Sequence, residues 1–362
     1  MSKKIAAPKV LTSLFGFGVY FPARITANSL KTVGFDSEVL LIEHLFTDAK
    51  RKTFEASKIA FSKNYKLAKL ATKLSVDSSD MFDPDKVEIL FKRWEAAKVS
   101  EFLCFSGLWL DLLSLYSKSN PQLSVKLCRL DAGDAVTWRM NDEVAIQETY
   151  SFLDLNEGKI NYKLSIPTLH YIPFGERKQS VVIHGGGWGL GNFLETTQQL
   201  PENLIKRILV KDFSKYVSQK KNTTFYMNDP NWDPINNGFG VSHFPRLGEI
   251  ISTDTILYSN NNDYHSALDL IVDSKAIISK PGGMTIVDSI ITGTPLIYLD
   301  PMGENEKGNQ ILIERLKIGA SFTAWQHEKF SIEMLLEFHE NIERIKIKLP
   351  ELTSKIIADL KK

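Results

Sequence analysis

Cysteine is scarce in this 362-residue sequence, charge is almost balanced, and no apolar run is long enough to cross a bilayer. Two cysteines, Cys104 and Cys128, cannot form a disulfide framework or a four-thiolate zinc site; their apolar surroundings predict buried, reduced thiols. Lysine and arginine number 44 against 43 acidic residues, so we expect no nucleic-acid partner. The apolar stretch at residues 10–21 lacks a signal-peptide cleavage context, which predicts a cytoplasmic protein.

Motifs for tightly bound metals are also missing. The sequence contains no HExxH motif and no Cys/His cluster, and these are the commonest local signatures of zinc sites. We therefore expect no bound metal and no cofactor.

Short β-rich runs alternate with helical segments along both halves of the chain. In the first half, the apolar runs VLTSLFGF, EVLLIEHLF, EFLCFSG and LSVKLCRLDAG are separated by helical patterns. A second alternation begins at SVVIHGGG and ends in two helices, at about residues 327–349 and 350–362. This order predicts an α/β fold in which two Rossmann-like domains, each with a parallel sheet covered on both faces, border one cleft.

Two prolines and a glycine interrupt the alternation within residues 164–178, which we interpret as a linker. The predicted boundaries are an N-terminal domain, a linker, a C-terminal domain and a final helix that packs back on the N-terminal domain, at residues 1–165, 166–178, 179–345 and 346–362.

Three glycine-bearing segments each follow an apolar run and precede a helical pattern. Glycine lets the backbone approach a ligand, and the N-terminus of the next helix offers N–H groups to a phosphate. Each segment alone is equally compatible with a tight turn. No dinucleotide fingerprint or P-loop is matched, which disfavours simple kinase and NAD functions. The residues that we predict to contact phosphate or acceptor in the first two segments are Gly16, Gly18, His184, Gly186 and Gly187.

The third segment, PGGMT, lies within a pattern of strand, glycine turn, helix, Gly-Thr-Pro turn, strand, polar loop and helix over residues 276–321. This stretch resembles the donor-binding region of GT-B glycosyltransferases, especially the lipid II-forming N-acetylglucosaminyltransferases and related UDP-glycosyltransferases. The alternative is an ordinary last βαβ unit of a Rossmann domain. The resemblance implies that the diphosphate of a nucleotide sugar is held by Ser279, Gly282, Gly283, Met284 and Thr285, its ribose by Asp288, and its sugar by Asn309 and Gln310.

The first glycine segment departs from that family at one position. GVYFPA is similar to a Gly-His-x-Phe-Pro-Ala loop, but Val19 stands where the family often has a histidine. Valine cannot accept a proton, and an inverting transfer needs a base for the acceptor hydroxyl. Asp131 and Asp134, after a predicted strand, are the replacement candidates; alternatively, they cap the turn that follows the strand.

The resemblance implies a metal-independent, inverting transfer of sugar from a nucleotide-sugar donor, most simply a UDP-sugar. The C-terminal domain would bind the donor, and the N-terminal domain would bind a small-molecule, lipid-linked or cell-surface precursor acceptor whose identity is unknown. Two alternatives stay open: a nucleotide-sugar hydrolase of the same fold, and a non-catalytic nucleotide-sugar-binding subunit.

One segment is strongly basic although the whole chain is not. Residues 50–73 hold eight basic residues and one acidic residue, interleaved with apolar and aromatic side chains. Such an amphipathic segment is compatible with peripheral contact to the inner face of a membrane, or with a solvated helix packed by its apolar stripe.

Overall fold

The first half of the chain forms a parallel sheet of five strands in the computed structural model, which describes residues 6–71, 80–133, 136–139, 144–186, 189–191, 193–211, 221–236, 243–252, 255–259 and 261–361. Its elements are β1 (Lys9–Thr12), α1 (Phe17–Thr32), β2 (Val39–Leu41), α2 (Asp48–Lys63), α3 (Tyr65–Ala71), α4 (Pro84–Ala96), β3 (Glu101–Cys104), α5 (Leu110–Ser117), β4 (Ser124–Arg129) and β5 (Ile146–Ser151).

The strand order of this sheet is β2-β1-β3-β4-β5, and every neighbouring pair is parallel. Its three central strands, β1, β3 and β4, are largely buried, which explains their mainly apolar sequences. Both cysteines lie in this sheet as free, buried thiols, so that prediction is confirmed. A small antiparallel pair, β6 (Leu153–Asp154) and β7 (Lys159–Ile160), follows β5.

The second half contains a larger sheet, ordered β12-β11-β10-β9-β8-β13-β14-β15. Its elements are β8 (Ser180–His184), α6 (Phe193–Thr196), β9 (Ile205–Leu209), β10 (Thr223–Asn228), β11 (Leu247–Ser252), β12 (Thr255–Ser259), α7 (Ala267–Val272), β13 (Ala276–Ser279), α8 (Gly283–Thr292), β14 (Leu296–Tyr298), α9 (Glu304–Leu316), β15 (Gly319–Ser321), α10 (Phe322–His327), α11 (Ile332–Lys348) and α12 (Leu352–Leu360).

This second sheet departs from the fully parallel arrangement that the sequence predicts. Strands β10, β9, β8, β13, β14 and β15 run parallel, whereas β11 pairs antiparallel with both β10 and β12. The two antiparallel strands lie at one edge and have half-exposed side chains. The sheet is therefore parallel where the glycine segments begin and antiparallel only at its far edge.

Two predicted strands are shorter than expected. The first ends at Thr12, and α1 begins at Phe17 with Gly16 as its N-cap. The second covers Val39–Leu41 and continues as a buried 3₁₀ helix over Ile42–Leu45. Buried strands and buried helical turns have equally apolar sequences, so an apolar run alone does not distinguish them.

An apolar core connects the two halves. Helix α1 packs against α8 of the second half and against α12. Tyr20 from α1 and Ile286 from α8 are nearly inaccessible to solvent within one cluster that contains residues of both sheets. The hydroxyl of Tyr150 in β5 donates a hydrogen bond to Asp359 of α12 at 2.9 Å. The final helix thus packs on the first sheet, and the carboxyl ends of the strands of both halves come close together.

Candidate functional site

The third glycine segment forms a turn between a buried strand and a helix, as predicted. Strand β13 ends at Ser279, and α8 begins at Gly283. Ser279 and Thr285 are both buried, and Met284 is part of the core. The N–H groups at the start of α8 and the helix dipole favour an anion at this turn. We call residues 279–285 the donor turn.

His184 lies beside the donor turn because β8 and β13 are neighbouring strands. Its Nδ1 accepts a hydrogen bond from the Gly186 N–H at 3.1 Å and lies 3.3 Å from the Ser279 hydroxyl. Burial, together with the positive charge of Lys280, lowers the pKa of His184 to about 4. The imidazole is therefore neutral at pH 7, with Nδ1 as an acceptor, so it can offer a phosphate an N–H but not a positive charge.

Gly16, Gly18 and Gly186 border open space. A side chain built on Gly18 or Gly186 would meet no atom within 4 Å, and one on Gly16 would meet only a backbone nitrogen at 3.9 Å. Gly186 also has a φ of +74°, which disfavours other residues. Gly187 lies outside the described residues. These positions leave room for a ligand, although nothing in their geometry selects phosphate over acceptor.

Asp131 does not face open solvent after β4 but reaches the donor turn. Its Oδ1 accepts hydrogen bonds from the Gly283 N–H at 2.9 Å and from the Asn309 side-chain amide at 2.7 Å. Its Oδ2 accepts one from the side-chain amide of Asn305 at 3.1 Å. Asp131 thus caps the N-terminus of a helix in the other half of the chain. The other candidate base, Asp134, lies outside the described residues.

Asn309 binds protein groups in this structure. Its side chain is fully buried; its Nδ2 also donates to the Pro281 carbonyl at 2.9 Å, and its Oδ1 accepts from the Ala132 N–H at 2.8 Å. The neighbouring Gln310 donates to Glu314 at 3.3 Å on the same helix. The structure therefore places Asn309 between the donor turn and the Asp131 loop, and its predicted role in sugar binding stays a prediction.

Asp288 lies one helical turn beyond Met284 and is half-buried. Among the described residues, none forms a hydrogen bond or an ion pair with its carboxyl group; only its backbone carbonyl is bonded, by the Thr292 hydroxyl at 2.7 Å. Burial raises the pKa of Asp288 to about 8. A partly desolvated carboxyl with no bonded partner among the described residues is disfavoured as an anion, so Asp288 is available to bind a ligand.

Aromatic side chains from α1 cover part of the second half near this site. Phe21 stacks on His265 with ring centroids 4.7 Å apart, and Phe17 stacks on Phe21 at 4.6 Å. The Tyr20 hydroxyl donates to the backbone carbonyl of His243 at 3.0 Å. Burial lowers the pKa of His265 to about 3, so it is neutral like His184.

Sequence reasoning missed a buried ion pair beneath the donor turn. Lys280 Nζ lies 3.4 Å from Glu306 Oε1, and both side chains are about nine-tenths buried. Glu306 Oε2 also accepts the Met302 N–H at 2.6 Å. The sequence signal for this pair is a lysine directly before Pro-Gly-Gly, whereas the lysine of a P-loop follows its glycines. No group of three or more metal-ligating side chains occurs in the described part of the chain.

Comparisons with known proteins bear on the fold. No protein-family model and no curated protein sequence matches the chain. Solved structures match it over almost its whole length. The spinosyn rhamnosyltransferase SpnG matches with a TM-score of 0.57 and 11% identity, and the match covers 98% of this chain and 99% of SpnG. The glycosyltransferase SsfS6 of Streptomyces sp. SF2575 complexed with thymidine diphosphate gives 0.56 and 10%, over 99% and 100%. SnogD from Streptomyces nogalater gives 0.52 and 11%, over 99% and 100%.

These matches establish the fold of the protein. The protein has the GT-B fold of two Rossmann-like halves, as the resemblance of residues 276–321 implied. At identities near 10%, the matches say nothing further about donor, acceptor or reaction.

Proposed function

We propose that this protein is a glycosyltransferase that moves a sugar from a nucleotide-sugar donor, most simply a UDP-sugar, to a small-molecule, lipid-linked or cell-surface precursor acceptor. The second half would bind the donor at the donor turn, and the first half would bind the acceptor. The GT-B fold supports this proposal, and the neighbouring structures are of proteins named as glycosyltransferases.

The observation that carries the proposal is the carboxyl of Asp288, which has no bonded partner among the described residues and lies one turn beyond a helix start whose N–H groups favour an anion. A nucleoside diphosphate has both groups that such a pair needs: a diphosphate for the N–H groups and a ribose diol for the carboxylate. Two hydroxyl hydrogen bonds to Asp288 would favour its ionised form and offset the cost of its burial. A βαβ unit that binds no ligand does not require a carboxyl at this position beyond the helix start.

The base of the nucleotide is less constrained than the diphosphate. Two of the similar structures, of SpnG and SsfS6, were determined as complexes with thymidine diphosphate. Uracil and thymine present the same hydrogen-bonding groups and differ by one methyl group. The proposal therefore names UDP first and treats dTDP as the competing ligand in the experiment below.

In the proposed reaction, the acceptor hydroxyl attacks the anomeric carbon, its proton passes to a base, and the nucleoside diphosphate leaves. The start of α8 stabilises the negative charge that develops on the departing phosphate, so the transfer does not require a metal. Val19 cannot take the proton, and Asp131 and Asp134 are the proposed bases. Asp131 would have to release its three N–H donors before it could act.

Calorimetry with UDP, dTDP, GDP and CMP tests the donor site. We expect UDP or dTDP to bind the wild-type protein and to raise its unfolding free energy by about 2.7 kcal/mol at one hundred times its Kd. Asp288→Ala should abolish this binding, and Asp85→Ala, at an exposed position in the first turn of α4, should preserve it. Equal binding by the Asp288→Ala variant would refute the assignment.

The absence of a histidine at Val19 favours one other function, a non-catalytic nucleotide-sugar-binding subunit. Product analysis separates the possibilities. Transfer to an added acceptor, unaffected by EDTA, supports the metal-independent transferase; release of free sugar without acceptor supports a hydrolase. If the protein binds the donor but shows no turnover, and Asp134→Ala binds the donor as wild type does, the result supports a non-catalytic binding subunit.

Membrane contact is a separate proposal that rests on α2 and α3. These helices expose Ile59 (51%), Leu67 (42%) and Leu70 (57%) among basic residues. Exposed aliphatic groups beside positive charge fit an anionic lipid surface. The protein should sediment with phosphatidylglycerol vesicles more than with phosphatidylcholine vesicles, and the change Ile59→Ser with Leu70→Ser should remove the difference. Ile347→Ser, at an 80% exposed position on α11, is the control; equal sedimentation of all three proteins would contradict the proposal.

The described helices include none long and apolar enough to traverse a bilayer.

A further inference from the structure

We propose that the carboxylate of Asp131 occupies the place of a donor phosphate, so that the donor binds only when Asp131 leaves the donor turn. This inference rests on the proposed function of that turn as the diphosphate site. It concerns the regulation of the site: the first half of the chain holds the donor turn closed with a group that imitates the ligand.

The contact has the chemistry of anion binding. The Gly283 N–H is the first of α8, where an anion is favoured by the helix dipole, and it donates to Asp131 Oδ1 at 2.9 Å. A carboxylate and a phosphate present the same kind of charged oxygen to this N–H. Asp131 and a phosphate at this position therefore compete for one donor.

The backbone around Asp131 makes the competition steric as well. A Cβ built on Gly283 would lie 2.8 Å from Asp131 Oδ1 and 2.9 Å from the Leu130 carbonyl oxygen. Two residues after Asp131, a Cβ built on Gly133 would lie 3.0 Å from the Cα of Asn305 in α9. The segment at residues 130–133 thus contacts the starts of α8 and α9 directly, so a phosphate bound to the Gly283 N–H would meet this segment.

Two asparagines of the second half hold this segment in place. Asn309 binds Asp131 Oδ1, the Ala132 N–H and the Pro281 carbonyl together, and Asn305 binds Asp131 Oδ2. The donors on Asp131 are neutral amides and one backbone N–H, with no cation among them in the described residues. Asp131 is therefore held by hydrogen bonds from neutral groups, which a more highly charged diphosphate could replace, and it also interacts with the positive charge of Arg129.

This inference and the role of Asp131 as a base predict different effects on nucleotide affinity. If Asp131 imitates the phosphate, its replacement frees the donor turn. The apparent Kd for nucleotide then falls, and the relative decrease equals the fraction of wild-type molecules in which Asp131 occupied the turn. If Asp131 instead contributes to donor binding, its replacement weakens binding. If it acts only as a base, nucleotide affinity stays the same and turnover falls.

The experiment measures Kd for UDP and for dTDP by calorimetry in the wild-type protein and in Asp131→Asn, Asp131→Ala and Asp154→Asn. Asp154 is a half-buried aspartate of the same half that accepts a hydrogen bond within its own turn, from the Glu157 N–H at 3.0 Å. We expect Asp131→Ala to bind about tenfold more tightly than wild type, Asp131→Asn to lie between them, and Asp154→Asn to match wild type. Ligand-free Asp131→Ala should also unfold at a lower temperature, because three N–H groups lose their acceptor.

The outcomes separate this inference from the proposed function. If the wild-type protein binds a nucleotide and both Asp131 variants bind it with equal or lower affinity, the inference is overturned and the proposed donor site stands. Binding seen only after Asp131 is replaced supports both. If every variant is folded by circular dichroism and none binds a nucleotide, the donor site itself is refuted.

Discussion

Replacing Asp288 by asparagine should stabilise the ligand-free protein at alkaline pH and leave its stability unchanged at acid pH. Burial raises the pKa of this carboxyl from 3.8 to about 8. Between these values the native state retains a proton that the unfolded state has released. The free energy of unfolding therefore falls as pH rises from about 4 to about 8, and it stays low above that range.

The size of this effect follows from the pKa shift. Each pKa unit corresponds to about 1.4 kcal/mol, so a shift of about four units sets an upper limit near 6 kcal/mol. Because part of the Asp288 side chain remains in contact with water, which screens its charge, we expect about 1–3 kcal/mol. Asparagine has nearly the same shape and does not ionise, so Asp288→Asn should be more stable than wild type by this amount at pH 9.

Urea unfolding of both proteins at pH 5, 7 and 9, without nucleotide, measures the difference. The gain of Asp288→Asn over wild type should be smallest at pH 5, the value nearest to the unfolded-state pKa of 3.8, and largest at pH 9. Asp85→Asn, at an exposed position in the first turn of α4, controls for the general effect of losing a negative charge. A gain that is the same at pH 5 and pH 9, or one that matches the control, would show that Asp288 is not a buried, unpartnered acid.

Two further predictions concern the contact between the halves. Gly283→Ala should destabilise the protein by about 1–3 kcal/mol in urea unfolding, since the added Cβ would lie 2.9 Å from the Leu130 backbone carbonyl, which cannot move freely; a loss below about 0.5 kcal/mol, the size of ordinary surface substitutions, would contradict the close approach. Asn309→Ala should cost about 2–4 kcal/mol, because the Ala132 N–H and the Pro281 carbonyl both lose their partner; Gln310→Ala, on the adjacent position of α9, should cost less than half as much.

The donor turn could be predicted because its signals are local. Residues 276–321 form β13, α8, β14 and α9 in the order that their apolar runs and glycines indicate, and the short strand β15 follows. A buried parallel strand is apolar throughout, and a glycine turn before a helix has few alternatives. The antiparallel edge, β11 with β12, was missed because half-exposed strands have mixed sequences that resemble loops.

The partners of the site residues could not be predicted. Asp131 and Gly283 are 152 positions apart, and Asp131 and Asn309 are 178 apart. Asp131 was expected to act as a base or to cap the turn after its own strand; in the structure it caps a helix of the other half, and its role as a base stays a prediction. Asn309 was expected to hold a sugar; in the structure it binds the Asp131 loop, and its sugar-binding role stays a prediction. In both cases the residue type indicated a hydrogen-bonding role, but the identity of the bonded group depended on how the two halves of the chain pack together.

The sequence by itself determined the alternation of strands and helices around the donor turn, the position of the glycine turn before α8 and the placement of an acid one helical turn beyond Met284, because these depend on residues that are neighbours along the chain. Only the tertiary structure decided that no residue in the described part of the chain bonds to the Asp288 carboxyl and that Asp131 accepts a hydrogen bond from the Gly283 N–H. Both depend on how α1, α8 and α12 pack the two halves together, and that packing is a sum of contacts between residues far apart in the sequence.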